Sequence, residues 1–360
     1  MDRKKRVALV FGGKSVEHEI SLQSAENVFD AIDKTRYEVI LIGIDQEGLW
    51  RLVTPAFFRG KESWKEKDQV VFLPHPEQGQ LFNLSQGRSL GPVDVVFPIL
   101  HGPLGEDGTI QGLLKLVNLP FVGAGVLGSA IGMNKEATKR LLREAGIPVV
   151  KFLSISSTSH ISFREVVEQI GLPFFIKPAN LGSSVGISKV KKEEEFPLAL
   201  ANAFQYDQNV LLEEYIEGQE IECSVLGNEN PIASIPGEIV PQHEFYSYEA
   251  KYLDEKGAIL LIPARLPKKT AEEICTIAVL SFKALYCEGM ARVDFLVRKK
   301  REIFVSEINT IPGFTKISMY PKLWEASGIP YTELIDRLIN LAIERFEKEK
   351  RLKTQYRFSE

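Results

Sequence analysis

The sequence predicts an α/β and α+β protein in three regions, the N-terminal one built on a parallel sheet. Two observations carry this. Up to about residue 132, short and nearly continuous apolar runs (7–11, 39–44 and 93–100) alternate with helical patterns, as parallel strands covered on both faces do. Beyond it, strands and helices keep alternating, then give way to two long strands, 290–297 and 302–309, joined by the basic segment Arg298-Lys-Lys-Arg301.

The elements follow in order. Strand 7–11 runs into Gly12-Gly-Lys-Ser15 and then a helix, a βα turn at the end of the sheet where such folds bind ligands. Between residues 52 and 91 the pattern weakens into a poorly specified insertion. Strand 93–100 closes on His101-Gly-Pro-Leu-Gly-Glu-Asp-Gly108, with Asp107 placed to cap the next helix. A helix over 135–145 has Asn134 as its cap, and Gly146 and Pro148 as its stop. Ser162-Phe-Arg-Glu165 is a capping box, and 173–178 and 210–216 read as strands. Thr270-Ala-Glu-Glu273 is expected to cap a helix before the hairpin. The last helix sets Ile335, Ile339, Ala342 and Phe346 on one face.

Bulk properties exclude several classes. The 360 residues suffice for two or three domains. A net charge of −4 gives no basic field for nucleic acid or an anionic membrane. The three cysteines, Cys223, Cys275 and Cys287, are odd in number and lack metal-type spacing, which predicts reduced thiols in a reducing compartment. The start has no apolar stretch of signal-peptide length, and no segment reads as a membrane span. A cytoplasmic protein is the expectation.

Strand alternation points to a metal site. Arg292 and Asp294 share one face of strand 290–297, while Ile303, Val305, Glu307 and Asn309 share a face of the next. A symmetric register about the turn would set Arg292 opposite Glu307 and Asp294 diagonal to it. Two carboxylates and an amide are the oxygen ligands Mg²⁺ takes when it also bridges phosphates. A hairpin with cross-strand salt bridges would use the same residues.

Phosphate groups have candidates too. Lys177 ends a strand and is followed by Leu181-Gly-Ser-Ser-Val-Gly186, a loop whose N–H groups can close round phosphate oxygens; it also reads as a plain turn. The run 210–216 can offer its backbone to an adenine edge, and Glu220 a carboxylate to a ribose; an edge strand with solvated acids is the alternative. The polar, aromatic stretch 242–256, with Phe245, Tyr246, Tyr248 and Tyr252, reads as a mobile flap or an ordinary surface hairpin.

Together, Gly12-Gly-Lys-Ser-Val-Glu-His-Glu-Ile-Ser21, the segment His101 to Gly108, Lys177-Pro with Gly182-Ser-Ser-Val-Gly186, Tyr248-Glu-Ala-Lys-Tyr252, Arg292-Val-Asp294 and Glu307-Ile-Asn-Thr-Ile-Pro-Gly313 closely resemble the D-alanine–D-alanine ligases of the ATP-grasp superfamily. The resemblance covers nearly the whole chain. It implies a three-domain ATP-grasp fold, drawn here as residues 1–133, 134–220 and 221–360. It implies a ligase that joins two D-alanines through an acyl phosphate, with ATP as co-substrate, for peptidoglycan precursors. Lys135, Lys177, Ser183, Ser184 and Lys251 would then contact ATP phosphates, Glu213, Glu214, Tyr215 and Ile216 the adenine, and Glu220 the ribose. Asp294, Glu307 and Asn309 would hold two Mg²⁺ ions, for which Mn²⁺ can substitute. Glu17 and His101 would hold the first D-alanine, and Ser318 and Met319 the second. Arg292 and the backbone near Gly313 would stabilise the tetrahedral intermediate, and Tyr252 would join the flap to Ser183 and Glu17. A homodimer is also implied. Three residues depart from some relatives: Ala291 for a Gly, Met319 for a common Leu and Ile311 for a small residue.

Other readings are a depsipeptide ligase, a carboxylase subunit, a non-catalytic nucleotide sensor and a dehydrogenase. The last lacks Gly-x-Gly-x-x-Gly and leaves the metal residues unexplained.

Overall fold

The computed structural model describes residues 3–182, 185–241 and 258–353. The N-terminal part contains β1 (Lys5–Gly12), α1 (His18–Ala31), β2 (Tyr37–Ile44) and β3 (Trp50–Val53), then a meander β4 (Val70–Leu73), β5 (Gln80–Asn83), β6 (Arg88–Pro92), and finally β7 (Val95–Ile99). The main sheet has the order β3-β2-β1-β7, with β1 parallel to both of its neighbours. Alternation along β1 sends Val7, Leu9 and Phe11 into one core and Ala8 and Val10 into another, so both faces are covered, as the continuous apolar runs predicted.

The stretch that reads as a poorly specified insertion is ordered. Its antiparallel strands β4-β5-β6 form a separate sheet, and Val70, Phe72 and Leu81 close over Ala8, Val10 and Ile42. Strands of four or five residues give too short an alternation to register in sequence.

α2 (Thr109–Leu116), α3 (Val126–Met133) and α4 (Lys135–Glu144) lead into the middle of the chain. Asn134 caps α4 as expected, its side chain accepting the Ala137 N–H at 2.8 Å. The expected Asp107 cap lies one residue early. Gly108 is the N-cap of α2, while the Asp107 carboxylate still accepts the Thr109 N–H at 2.9 Å.

The second part holds β8 (Phe152–Ser156), α5 (Phe163–Ile170), β9 (Phe174–Pro178), β10 (Ser188–Val190), α6 (Phe196–Ala203) and β11 (Asn209–Glu214). The capping box on Ser162 and Glu165 is complete. The sheet order is β10-β9-β11-β8. β11 is therefore a central strand, not an edge.

The third part comprises β12 (Gln219–Gly227), β13 (Ile232–Ala233), β14 (Gly237–Pro241), β15 (Ala258–Leu261), α7 (Lys268–Ala284), β16 (Gly289–Arg298), β17 (Glu302–Asn309), α8 (Met319–Ala326) and α9 (Tyr331–Lys350). Its sheet runs β15-β14-β12-β16-β17, with β13 on β12. α7 covers one face, packing Ile274, Ala278 and Phe282 on Ile221, Cys223, Val293 and Phe295. Thr270 does not cap α7. The helix already starts at Lys268 behind Pro267, and the Thr270 hydroxyl donates to the Lys300 carbonyl at 2.9 Å instead. The predicted face of α9 is buried, except that Phe346 is only half-buried. That face packs on the N-terminal sheet and α1: Ile335, Leu338 and Ile339 share a core with Val7 and Leu9 of β1 and Val28 of α1. Among the described residues, no helix is long and apolar enough to cross a membrane.

Candidate active site

The hairpin β16–β17 turns at residues 299–301, and its register differs from the symmetric one. Asp294 lies opposite Glu307, and Arg292 opposite Asn309, with a bulge between Phe295↔Val305 and Asp294↔Glu307. Ser306 is the extra residue. It also corrects the expected face, because a bulge re-aims every residue beyond it. Ile303, Val305 and Ile308 enter the core under α7, whereas Glu307 and Asn309 turn to the side of Arg292 and Asp294. The Arg292 guanidinium forks onto Asp294 through Nε and Nη2, both at 2.7 Å, and reaches Glu222 at 3.0 Å.

Asp294, Glu307 and Asn309 fit a hard divalent cation. The Asn309 Oδ1 is buried with no hydrogen-bond partner among the described residues, a costly state for an amide oxygen unless something binds it. With two carboxylates beside it, the donor set is all oxygen, as Mg²⁺ prefers. No group of three or more His, Cys, Asp and Glu residues arranged for a metal occurs among the described residues, so phosphate or water oxygens would have to complete such a shell.

A buried charge triad lies behind the hairpin. Glu213 on β11 receives Lys177 of β9 at 2.7 Å and Lys139 of α4 at 3.2 Å. Glu213 and Lys139 are buried, and Lys177 is partly exposed. Burial alone would raise the Glu213 pKa, but the two ammonium groups overcome it and hold the carboxyl at about 2. Burial also opposes the Lys177 charge, and Glu213 outweighs it, so that pKa is raised; at Lys139 burial prevails and the pKa falls. Lys135, one turn before Lys139, donates to the Leu181 carbonyl at 2.7 Å and stands 3.8 Å from Glu307.

The N-terminal domain supplies the other wall. Ser21 accepts the Gly12 N–H at 2.7 Å and His18 Nδ1 lies 2.7 Å from the Gly13 carbonyl, which pins the glycine turn and sets Glu17 at the head of α1. Glu17 is 6% exposed. Gly102 has φ +74°, a conformation that favours glycine, and a Cβ there would crowd Ser15 Oγ at 2.7 Å and Glu17 Oε2 at 2.9 Å. His101 is buried, and its Nδ1 lies 3.0 Å from the Ile311 carbonyl; a carbonyl only accepts, so the proton is on Nδ1. Burial, opposed by Glu17, lowers the His101 pKa and keeps the ring neutral. Glu106 is pushed up to about 8, first by burial and then by the Glu17 charge.

The loop after β17 closes the floor. Ser318 Oγ accepts the Thr315 N–H at 3.0 Å, and a Cβ on Gly313 would lie 2.7 Å from that oxygen. Met319 begins α8, buried against Ile239 and Leu323.

These walls enclose a cleft of about 420 Å³. Glu17, His101, Lys135, Arg292, Glu307 and Asn309 line it, and so do Gly313, Ser318 and Met319. Asp294 joins them through Arg292. Lys177 and Glu213 belong to the charge triad and Ile216 is buried, all three outside the lining. Glu214 instead faces Arg298 at 3.6 Å, Tyr215 stacks under Lys189 at 3.7 Å, and Glu220 lies on β12 across from Leu296. Ser183, Ser184, Lys251 and Tyr252, with the whole proposed flap, lie outside the described residues. Sequence reading missed Lys139, Glu222 and Glu106. The first sits at i+4 from Lys135 and three residues before the buried Leu142, and the second alternates with the core residues Ile221 and Cys223; both signals were readable.

The chain matches two family models. The D-ala D-ala ligase N-terminus covers residues 6–124, and the D-ala D-ala ligase C-terminus covers residues 141–340. It is 53% identical to a D-alanine–D-alanine ligase of Oceanobacillus iheyensis over 98% of both chains. Among solved structures, the D-alanine-D-alanine ligase from Coxiella burnetii superposes with a TM-score of 0.88 at 40% identity, covering 97% of each chain. VanG D-Ala:D-Ser ligase from Enterococcus faecalis does so with a TM-score of 0.84 at 35% identity, over 94% of this chain and 100% of the other. With family models over both parts of the chain and a 53% identical relative matched over 98% of each chain, the chain belongs to the D-alanine–D-alanine ligase family.

Proposed function

We propose that this protein joins two D-alanine molecules into D-alanyl-D-alanine, spending ATP, to supply peptidoglycan precursors. The observation that carries the reading is the cleft itself: Glu17 at the head of α1, Lys135 of α4 and an oxygen-rich hairpin face one volume. The Glu17 carboxylate suits the ammonium of the first D-alanine. His101, neutral and held on the Ile311 carbonyl, borders the same place. The substrate carboxylate attacks the γ-phosphorus of ATP to give an acyl phosphate and ADP. The amine of the second D-alanine then adds to the acyl carbon, and phosphate leaves.

Lys135 and Lys177 offer positive charge to phosphates, with Ser183, Ser184 and Lys251 assigned by family motif. Glu213 to Ile216 would meet adenine, and Glu220 the ribose. Arg292 and the N–H groups near Gly313 face the forming oxyanion. Ser318 and Met319 would hold the second D-alanine, and Tyr252 would link the flap to Ser183 and Glu17. Asp294, Glu307 and Asn309 would hold two Mg²⁺ ions, or Mn²⁺, which when bound neutralise phosphate charge. A cytoplasmic homodimer, with no nucleic acid or membrane partner, completes the reading.

ADP formation, with mass identification of the product, tests it. D-Alanine alone should support turnover and yield the dipeptide. A D-alanine–D-serine or D-alanine–D-lactate product dominating the equimolar mixture would reassign the second substrate, and ADP formation independent of D-alanine would overturn the reading.

A further inference from the structure

We propose that Lys139 is a positioning residue: its buried ammonium fixes the carbonyl of the bulged Ser306, and so turns Glu307 and Asn309 towards Asp294. Lys139 is 1% exposed, and an ammonium so deep needs partners in place of water. It has two. The Ser306 carbonyl accepts from it at 3.1 Å, and Glu213 pairs with it at 3.2 Å.

Ser306 is where the β16–β17 ladder slips by one residue. A bulge interrupts the regular ladder, and a carbonyl there needs a donor from elsewhere. Lys139 is that donor. The preceding residue is pinned as well, since the Val305 N–H donates to the Pro148 carbonyl at 2.8 Å. Without the slip, strict alternation would put Glu307 and Asn309 on the face of Ile303 and Val305, inside the core. The slip thus decides whether the oxygen donors face the cleft at all.

Lys139 also joins two halves of the site. Its partner Glu213 is shared with Lys177 at 2.7 Å, and Lys135 on the same helix stands 3.8 Å from Glu307. One face of α4 therefore sets the phosphate-side lysines and the oxygen donors against each other. Lys139 itself is not in the cleft lining, so its action runs through Ser306 and Glu213.

The inference rests on the metal reading above, and the test separates the two. Mn²⁺ binding to the full-length chain without nucleotide is followed by electron paramagnetic resonance, beside the Mg²⁺ dependence of ADP formation and thermal unfolding. Lys139→Met should weaken Mn²⁺ binding by about tenfold or more, as loss of a group that orients ligands does, and move the Mg²⁺ half-saturation by a like factor, with unfolding still cooperative. Lys139→Arg, which restores a donor, should recover most of the binding. If Lys139→Met folds and binds Mn²⁺ as the parent does, Lys139 has no positioning role. Should it not fold, Lys139→Gln, neutral and shorter, is judged by the same criterion. A parent chain that binds no Mn²⁺, or an Asp294→Asn variant that binds it unchanged, would overturn the metal reading instead.

Discussion

Replacing Glu213 with Gln removes the carboxylate that Lys139 and Lys177 share. The cost follows from its titration. Its carboxyl falls from the ordinary 4.5 to about 2 in the folded chain, because Lys139 and Lys177 overcome the penalty of burial. At about 1.4 kcal/mol per pH unit, that drop corresponds to about 3 kcal/mol of stability. The folded pKa is depressed, so the contribution is fully present above pH 4.5 and is lost as the pH falls towards 2. Breaking a buried pair by removing one partner costs about 3–5 kcal/mol in general, which agrees. Urea unfolding of the parent and of Glu213→Gln, followed at pH 7 and at steps down to pH 3, should show the variant weaker by about 3 kcal/mol at neutral pH. The gap should narrow with acidification. Equal stability at pH 7, or a gap that does not depend on pH, would refute the reasoning.

Asp294→Asn should lower Mg²⁺-dependent ATP turnover by about 100-fold or more, the scale of losing a group that acts on transition-state charge, while the protein still folds; a purely structural ion pair predicts the reverse. Cysteine labelling should be uneven. Burial pushes the Cys287 thiol up to about 12, and the contact with Cys275, helped by burial, raises that of Cys223, whereas the half-buried Cys275 is lowered, first through the same contact. Iodoacetamide on the native protein at pH 8 should modify Cys275 first, and peptide mass mapping that finds Cys287 first would contradict the burial argument.

Much of this site was legible because the strands carrying it are covered on one face. β16 alternates cleanly: Val293, Phe295 and Val297 pack beneath α7 while Arg292 and Asp294 point away. β17 is legible only as far as Val305. Nothing in Phe304-Val-Ser-Glu307 marks an inserted residue, since no glycine or proline flags the bulge. The bulge depends on partners distant in sequence, Lys139 and Pro148. The same limit hid where α9 packs. Its apolar face was readable, but its partner, the N-terminal sheet, is more than two hundred residues away. The meander over 70–92 was illegible for a local reason, its strands being four or five residues long. Lys139 and Glu222 were overlooked because charged residues are ordinarily assigned to the surface; the helical period places Lys139 inside with Leu142, and the strand period sets Glu222 on the face opposite Ile221 and Cys223, beside Arg292.

The most direct test of the central claim is an isotope transfer. D-Alanine labelled with ¹⁸O in its carboxylate is incubated with the enzyme, Mg²⁺ and ATP, and the inorganic phosphate is analysed by mass spectrometry. If the carboxylate is activated as an acyl phosphate, each dipeptide formed delivers one carboxylate oxygen to phosphate, and ¹⁸O appears there in proportion to product. Dipeptide accompanied by unlabelled phosphate would contradict the account.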